Sequence, residues 1–76
     1  MQEFLEYLLR HLVEHPDDIS IETTEKDDKT VFIVSVHESD LGKIIGRKGR
    51  TIYSLRTLLS AVSARENKRA IIEIKE

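Results

Sequence analysis

The chain lacks several residue types that small proteins use for stability and chemistry. Its 76 residues include no cysteine, which excludes disulfides and thiolate metal sites and is typical of a reducing compartment. No apolar run approaches the ~20 residues that a membrane span needs. Only one proline and three glycines are present to interrupt regular structure. At this length we expect one domain, residues 1–76, with a small hydrophobic core.

The start of the sequence also lacks the basic segment and apolar run that mark a secretory signal. Met1 is followed at once by acidic, amphipathic sequence. Because neither a signal nor a membrane span is visible, we expect a soluble protein of the cytoplasm.

Acidic residues are missing from one stretch of an otherwise acidic chain, whose formal net charge is −2. Residues 1–40 contain eleven acidic and three basic side chains, whereas residues 41–65 contain six basic and no acidic ones. Such a basic block creates a local positive field that suits a polyanion such as nucleic acid. Most charge runs, however, are only solvated helix faces, so the block alone does not establish binding.

The spacing of apolar residues predicts an α-β-β-α-α-β order of elements. In residues 3–15, apolar side chains recur every three or four residues, which is the spacing of one helical face, and Pro16 ends this helix. Apolar and polar side chains alternate in residues 19–25, and residues 31–36 are mostly β-branched or aromatic, so both segments are predicted to be strands. Together they predict a hairpin around a charged turn at 26–29. The remaining predicted elements are a short helix that ends at Gly46, a second helix over about 51–65 and a strand at 70–74.

The same spacing indicates which side chains form the core. Phe4 and Tyr7 are expected in the core or at its edge. Ser39 or Asp40 is expected to cap the short helix, because an oxygen there can accept the free N–H groups of a first turn. Residues 31–36 are apolar on both strand faces and so need cover on both sides or a partner. The stripe expected to be buried on the second helix comprises Ile52, Leu55, Leu58, Leu59 and Val62.

Gly-Arg-Lys-Gly at 46–49 joins the two central helices and is the most informative segment. Glycine allows turn conformations closed to other residues and removes side chains that would block the backbone of a ligand. Where the loop ends a helix begins, so free N–H groups and the positive end of the helix dipole point out of it. Arg47 and Lys48 lie between the glycines, with Lys43 before and Arg50 after them. These features predict a site for phosphate groups.

The segment Asp-Leu-Gly-Lys-Ile-Ile-Gly-Arg-Lys-Gly-Arg-Thr-Ile at 40–52 resembles the core motif of KH domains, V/I-I-G-x-x-G-x-x-I. The hairpin before it and the strand after it resemble the type II, prokaryotic arrangement. That resemblance implies an α+β fold with a three-stranded sheet and the helices on one face. The likeness extends over essentially the whole chain, and it is strongest to the small bacterial single-KH proteins of the KhpA family.

The resemblance implies a non-catalytic protein that binds short single-stranded RNA, with the G-x-x-G loop clamping about four nucleotides of backbone. It also implies post-transcriptional regulation or RNA chaperoning, a homodimer, pairing with a larger Jag/KhpB-type RNA-binding protein, and no cofactor. Tyr53, where the family usually has alanine or lysine, is a candidate for stacking on a base or for a dimer contact. The RNA-binding residues implied by position are Lys43, Ile45, Gly46, Arg47, Lys48, Gly49, Arg50, Ile52 and Arg56.

Other patterns in the chain are weaker. His11–His15 matches H-x-x-E-H, an inverted zinc-protease pattern, but no third ligand is evident, so neither a metal site nor an enzyme is expected. The G-x-x-x-x-G-K-[ST] pattern of a nucleotide-binding loop is absent. The main rival is a protein–protein dimerisation module whose basic helix meets an acidic partner. Such a module would keep its partner after the loop charges are removed.

Overall fold

The structure, a computed structural model, describes residues 1–75. The chain is α+β, and its elements follow the predicted α-β-β-α-α-β order. No helix within the described residues is both long and apolar enough to cross a lipid bilayer. The helices are α1 (Gln2–Leu12), α2 (Leu41–Ile45) and α3 (Arg50–Ala64); the strands are β1 (Ser20–Lys26), β2 (Lys29–Ser35) and β3 (Arg69–Ile74); and 3₁₀ turns lie at Pro16–Asp18, Glu38–Asp40 and Arg47–Gly49.

The three strands form one mixed sheet with β2 in its centre. β2 pairs antiparallel with β1, where Val31 lies opposite Thr24, and parallel with β3, where Val31 lies opposite Ile71. The turn between β1 and β2 places Asp27 at φ +55°, a left-handed conformation that aspartate tolerates better than most residues. This order of strands and helices confirms the fold that the resemblance to type II KH domains implied.

The core lies between one face of the sheet and the inner sides of the helices. Alternate residues of β2, namely Thr30, Phe32 and Val34, point to that side and are buried. On α1 the buried positions are four residues apart, as expected for a single helical face. The buried apolar side chains are Leu5, Leu9, Phe32, Val34, Ile44, Ile52, Leu55, Leu59 and Ile72.

Some apolar side chains expected in the core lie at the surface. Tyr7 is 59% exposed, Leu58 46% and Phe4 37%. Each helix buries only a narrow stripe, so apolar residues beside that stripe remain in solvent. On α3 the stripe continues through Ser63 instead, whose buried hydroxyl donates to the Ser60 carbonyl at 3.1 Å.

Candidate nucleic-acid interface

The loop between α2 and α3 depends on glycine at both of its ends. Gly46 follows α2 with φ +78°, and Gly49 precedes α3 with φ +74°. Both angles lie in the left-handed region, which strains any residue that has a Cβ. A Cβ at Gly46 would also lie 2.8 Å from the backbone nitrogen of Thr51, closer than real Cβ contacts allow. The first glycine is therefore required both by conformation and by space.

Lys48 adds a third left-handed residue to this short loop, with φ +56° and ψ +27°. Such a conformation costs lysine on the order of 1 kcal/mol, so the surrounding turn holds it there. The side chains of Arg47, Lys48 and Arg50 are all exposed. Within residues 1–75, none of these three cations lies in an ion pair with a carboxylate. Their charges are therefore available to a ligand.

The first turn of α3 reinforces this positive end of the loop. Its N–H groups donate no hydrogen bond to a capping side chain, although the Arg50 N–H donates to the Arg47 carbonyl, and the turn contains no acidic residue. The α3 dipole adds partial positive charge at the same end. An anion at the loop would therefore meet the positive end of α3 together with the cations of Arg47, Lys48 and Arg50, an arrangement that favours phosphate.

A groove of about 510 Å³ extends from the loop along the beginning of α3. Ile52 supplies an apolar floor, being only 8% exposed. Arg56 lies farther along and donates a hydrogen bond to the Ile72 carbonyl of β3 at 3.2 Å, which ties α3 to the edge of the sheet. Apolar and basic surfaces side by side suit a nucleobase next to its phosphate. The groove is lined by Lys48, Gly49, Arg50, Ile52, Tyr53, Ser54 and Arg56.

Lys43 and Ile45 lie apart from this groove lining. The Lys43 ammonium is 2.8 Å from a Glu14 carboxylate oxygen and 3.6 Å from Asp40, and its hydrogen bond to Glu14 raises the pKa of the lysine. To reach a ligand at the loop, Lys43 must give up the Glu14 contact. Ile45 is half-buried next to Gly46, whereas Ile44 is completely buried in the core.

Asp40 holds the position of α2, a role that the sequence did not suggest. Its fully buried carboxylate accepts the backbone N–H groups of Glu14 at 3.1 Å and His15 at 3.0 Å, and it lies 3.1 Å from His15 Nδ1. It makes no capping bond to α2, contrary to the expectation. Burial raises the pKa of Asp40, but these donors outweigh it and lower the pKa to about 2. The ionised carboxylate therefore fastens the end of α1 to the helix before the loop.

The histidines support the same junction. The His15 and His37 rings stack with centroids 4.1 Å apart and planes 15° apart. His37 Nδ1 accepts the Ser39 N–H at 3.0 Å and caps the 3₁₀ turn before α2, in place of the expected Ser39 or Asp40. Since α1 ends at Leu12, His11 and His15 do not share a helix face. Among the residues that the structure describes, no cluster of three histidine or carboxylate side chains could hold a metal ion.

Tyr53 lies on the outer side of α3 and is 71% exposed. Its ring borders the groove, so it can reach a base bound there. Leu58, farther along the same helix, is the other large apolar side chain of α3 that is exposed. The geometry is thus compatible with both roles expected for Tyr53, stacking on a base and contacting a partner.

Comparison with known proteins finds sequence similarity along nearly the whole chain. A family model described as "KhpA/KhpB, KH domain" matches residues 2–74. The RNA-binding protein KhpA of Chlamydia pneumoniae is 42% identical over 76 residues, covering 100% of this chain and 97% of its own. The protein of the same name from Bacillus subtilis is 38% identical over 74 residues, covering 97% and 91%. The one from Thermotoga maritima is 44% identical over 62 residues, covering 82% and 83%.

Proposed function

The chain belongs to the KhpA/KhpB family of KH domains, and we propose that it binds short single-stranded RNA through the loop at Gly46–Gly49. Its relatives bear the name RNA-binding protein, and the family is not one of enzymes. The observation that carries the proposal is the exposure of Arg47 and Lys48, unpaired within residues 1–75, between two left-handed glycines at the start of α3.

In this proposal the loop binds phosphates and the groove binds bases. Arg47, Lys48 and Arg50 donate charged hydrogen bonds to the RNA backbone, while the dipole of α3 presents its positive end to a phosphate. Bases lie against apolar side chains, since every base presents a face that can pack on them. We propose as the RNA site Lys43, Ile45, Gly46, Arg47, Lys48, Gly49, Arg50, Ile52 and Arg56.

We further propose that residues 1–76 form a single KH domain that associates through the outer side of α3. Tyr53 gives this side an exposed aromatic surface, which supports a contact with another protein. The partners proposed are a second copy of the chain and a larger Jag/KhpB-type RNA-binding protein. We propose the cytoplasm as the place of action, because transcripts are there, and post-transcriptional regulation or RNA chaperoning as the role.

The test is a charge reversal in the loop, Arg47→Asp with Lys48→Asp. Each charged hydrogen bond contributes about 1.5–3 kcal/mol, so losing two should weaken binding at least about 100-fold. Aspartate tolerates the left-handed conformation of Lys48, and both positions are exposed, so stability should change by no more than about 0.5 kcal/mol. Binding of a labelled single-stranded RNA is measured by fluorescence anisotropy, and folding by circular dichroism.

A matched control makes the same change in net charge at the opposite end of the molecule. Arg65→Asp with Lys68→Asp alters two exposed cations just beyond the end of α3. This variant should retain most of the affinity. Equal losses in both variants would mean that only net charge matters, and unchanged affinity in a folded loop variant would contradict the RNA site. If the chain binds no RNA but keeps a protein partner after the loop charges are removed, the result would favour a dimerisation module over an RNA-binding protein.

A further inference from the structure

The sheet face opposite the helices has an apolar centre that the described part of the chain leaves uncovered. Val31 and Ile33 of β2 alternate with the buried Phe32 and so point away from the core. Ile71 of β3 lies opposite Val31 and shares that direction. All three are half-buried, yet none belongs to the apolar residues that pack against the core within residues 1–75. We call this side of the sheet the open face.

Charged residues cross the open face in two rows, one on each side of Val31. The basic row lies at the start of β2, and the acidic row lies at the level of Ile33. Every side chain in these rows is exposed except Ile33 itself. From the basic row to the acidic row the open face therefore changes from positive through apolar to negative, and the exposed Lys75 follows Glu73 beyond the acidic row. The basic row consists of Lys26, Lys29 and Arg69, and the acidic row of Glu22 and Glu73, which flank Ile33.

We propose that the open face binds the open face of a second copy of this chain, with the two β2 strands antiparallel. The twofold axis lies between the two sheets at the level of Val31, parallel to the sheets and perpendicular to the strands. It places β1 of one copy over β1 of the other, and β3 over β3. Stacked sheets lie about 10 Å apart, so side chains of the two faces meet. Lys26 then meets Glu22 of the second copy, and Arg69 meets its Glu73. Symmetry forms each pair twice around a closed apolar centre.

The charge pattern selects this orientation over the other twofold arrangement. If the axis ran along the strands, the basic row would lie over the basic row and the acidic row over the acidic row. Like charges placed opposite one another destabilise an interface, whereas the antiparallel arrangement makes every charged row face its opposite. In that arrangement the long stem of Lys29 also covers Ile33 of the second copy. Charge complementarity therefore identifies a second copy as the occupant.

The contact leaves the rest of the molecule free. The helices pack on the other face of the sheet, so the loop and Tyr53 lie on the outer sides of the pair. The two copies present two loops, and one RNA long enough to reach both would bind with an added avidity. The contact itself depends only on the sheet and would form whether or not the loop binds RNA.

A charge exchange tests the contact. In a Tyr53→Ala background, which weakens the contact proposed for α3, the parent should form a reversible dimer. Glu22→Lys with Glu73→Lys, and separately Lys26→Glu with Arg69→Glu, should each weaken that dimer at least about tenfold, because attractive pairs become repulsive. An equimolar mixture of the two variants should recover a 1:1 heterodimer, since each basic row again faces an acidic one. Sedimentation velocity and native mass spectrometry measure the species.

A chain with all four substitutions keeps the parent's net charge and should regain the homodimer, which distinguishes a lost contact from a lost fold. Circular dichroism follows the fold of each variant. The proposal is overturned if the Tyr53→Ala parent is monomeric at millimolar concentration. It is also overturned if either two-residue variant dimerises as strongly as the parent, or if the mixture stays monomeric while both variants are folded.

Discussion

Gly42 and Gly46 lie in and just after α2, and they differ in what a side chain would meet. A Cβ at Gly42 has no atom within 4 Å, whereas one at Gly46 would crowd Thr51, and φ there is +78°. Gly46→Ala should therefore lower the free energy of unfolding by about 1–3 kcal/mol. Gly42→Ala, the control, should leave stability unchanged or raise it by up to about 1 kcal/mol, because alanine favours the helix. Urea denaturation measures both, and equal effects would contradict the packing at the loop.

At single positions, the sequence revealed local roles and missed distant ones. The exposure of Arg47 and Lys48 could be predicted, because two glycines three apart define the loop that carries them. The burial of Asp40 could not be predicted, because its hydrogen-bond donors are the backbone N–H groups of Glu14 and His15, which are distant from it in the sequence. The ion pair of Lys43 with Glu14 could not be predicted for the same reason, because Glu14 follows α1 and is distant from α2 in the sequence.

Among the elements, the strands and α3 lie within two residues of their predicted bounds, because their apolar patterns are strong. The exception is α1, predicted over 3–15 but ending at Leu12. Val13 is extended, and the next two backbone N–H groups turn to the Asp40 carboxylate instead of continuing the helix. The end of the helix is therefore determined by a tertiary contact, which the spacing of apolar residues cannot predict.

The junction of α1 with α2 gives stability a specific acid dependence. The pKa of Asp40 falls from 3.8 to about 2 in the folded chain. A lowered pKa means that folding favours the ionised carboxylate, so its contribution is complete above about pH 4 and is lost as pH falls toward 2. Asp40→Asn should lower stability at neutral pH and flatten this acid decline. Urea denaturation at several pH values tests it, with exposed Asp17→Asn as the control.

An Asp40→Asn protein with the same acid decline as the parent would show that other carboxylates cause it. A loss of RNA affinity in the folded variant would be a separate result, because it would show that the junction positions the loop. The Asp17→Asn control should match the parent in both measurements, since that side chain is exposed in the turn after α1.

Across the whole molecule, the segregation of charge predicts how RNA binding depends on salt. Arg47, Lys48 and Arg50 are exposed and unpaired within the described residues, so about three phosphate contacts are available. For single strands each contact contributes about −0.7, giving a slope of log K against log salt of roughly −2. Recruitment of Lys43 from Glu14 would steepen the slope to about −3. Anisotropy titrations over a salt series measure it, and a slope near zero would contradict phosphate binding.

The order of the elements followed from the spacing of apolar residues, and the two-sided character of β2 was visible in residues 31–36. Which side the helices cover, and what borders the other side, depended on strand register. Glu22 and Glu73 flank Ile33 only because β1 and β3 pair with β2 in the observed registers. The charge rows of the open face therefore could not be derived from the sequence.

The contact proposed for α3 can be measured by itself once substitutions have disrupted the sheet contact. In the Glu22→Lys, Glu73→Lys background, the chain should still dimerise weakly through Tyr53. Adding Tyr53→Ala should weaken this dimer at least about tenfold, because a large aromatic side chain supplies much of the energy of a small interface. The monomer should stay folded, since Tyr53 is 71% exposed. Tyr7→Ala, the same change at an exposed position of α1, is the matched control and should leave the dimer intact.

Because Tyr53 also lines the groove, RNA and the α3 contact should compete for its ring. Addition of a short single-stranded RNA to the charge-altered chain should therefore shift it from dimer to monomer, and sedimentation velocity follows the change. The same RNA should leave the sheet-mediated dimer of the Tyr53→Ala chain assembled, since that contact lies on the other face. A dimer that is as strong without Tyr53, or one that RNA fails to dissociate, would assign the α3 contact to other residues.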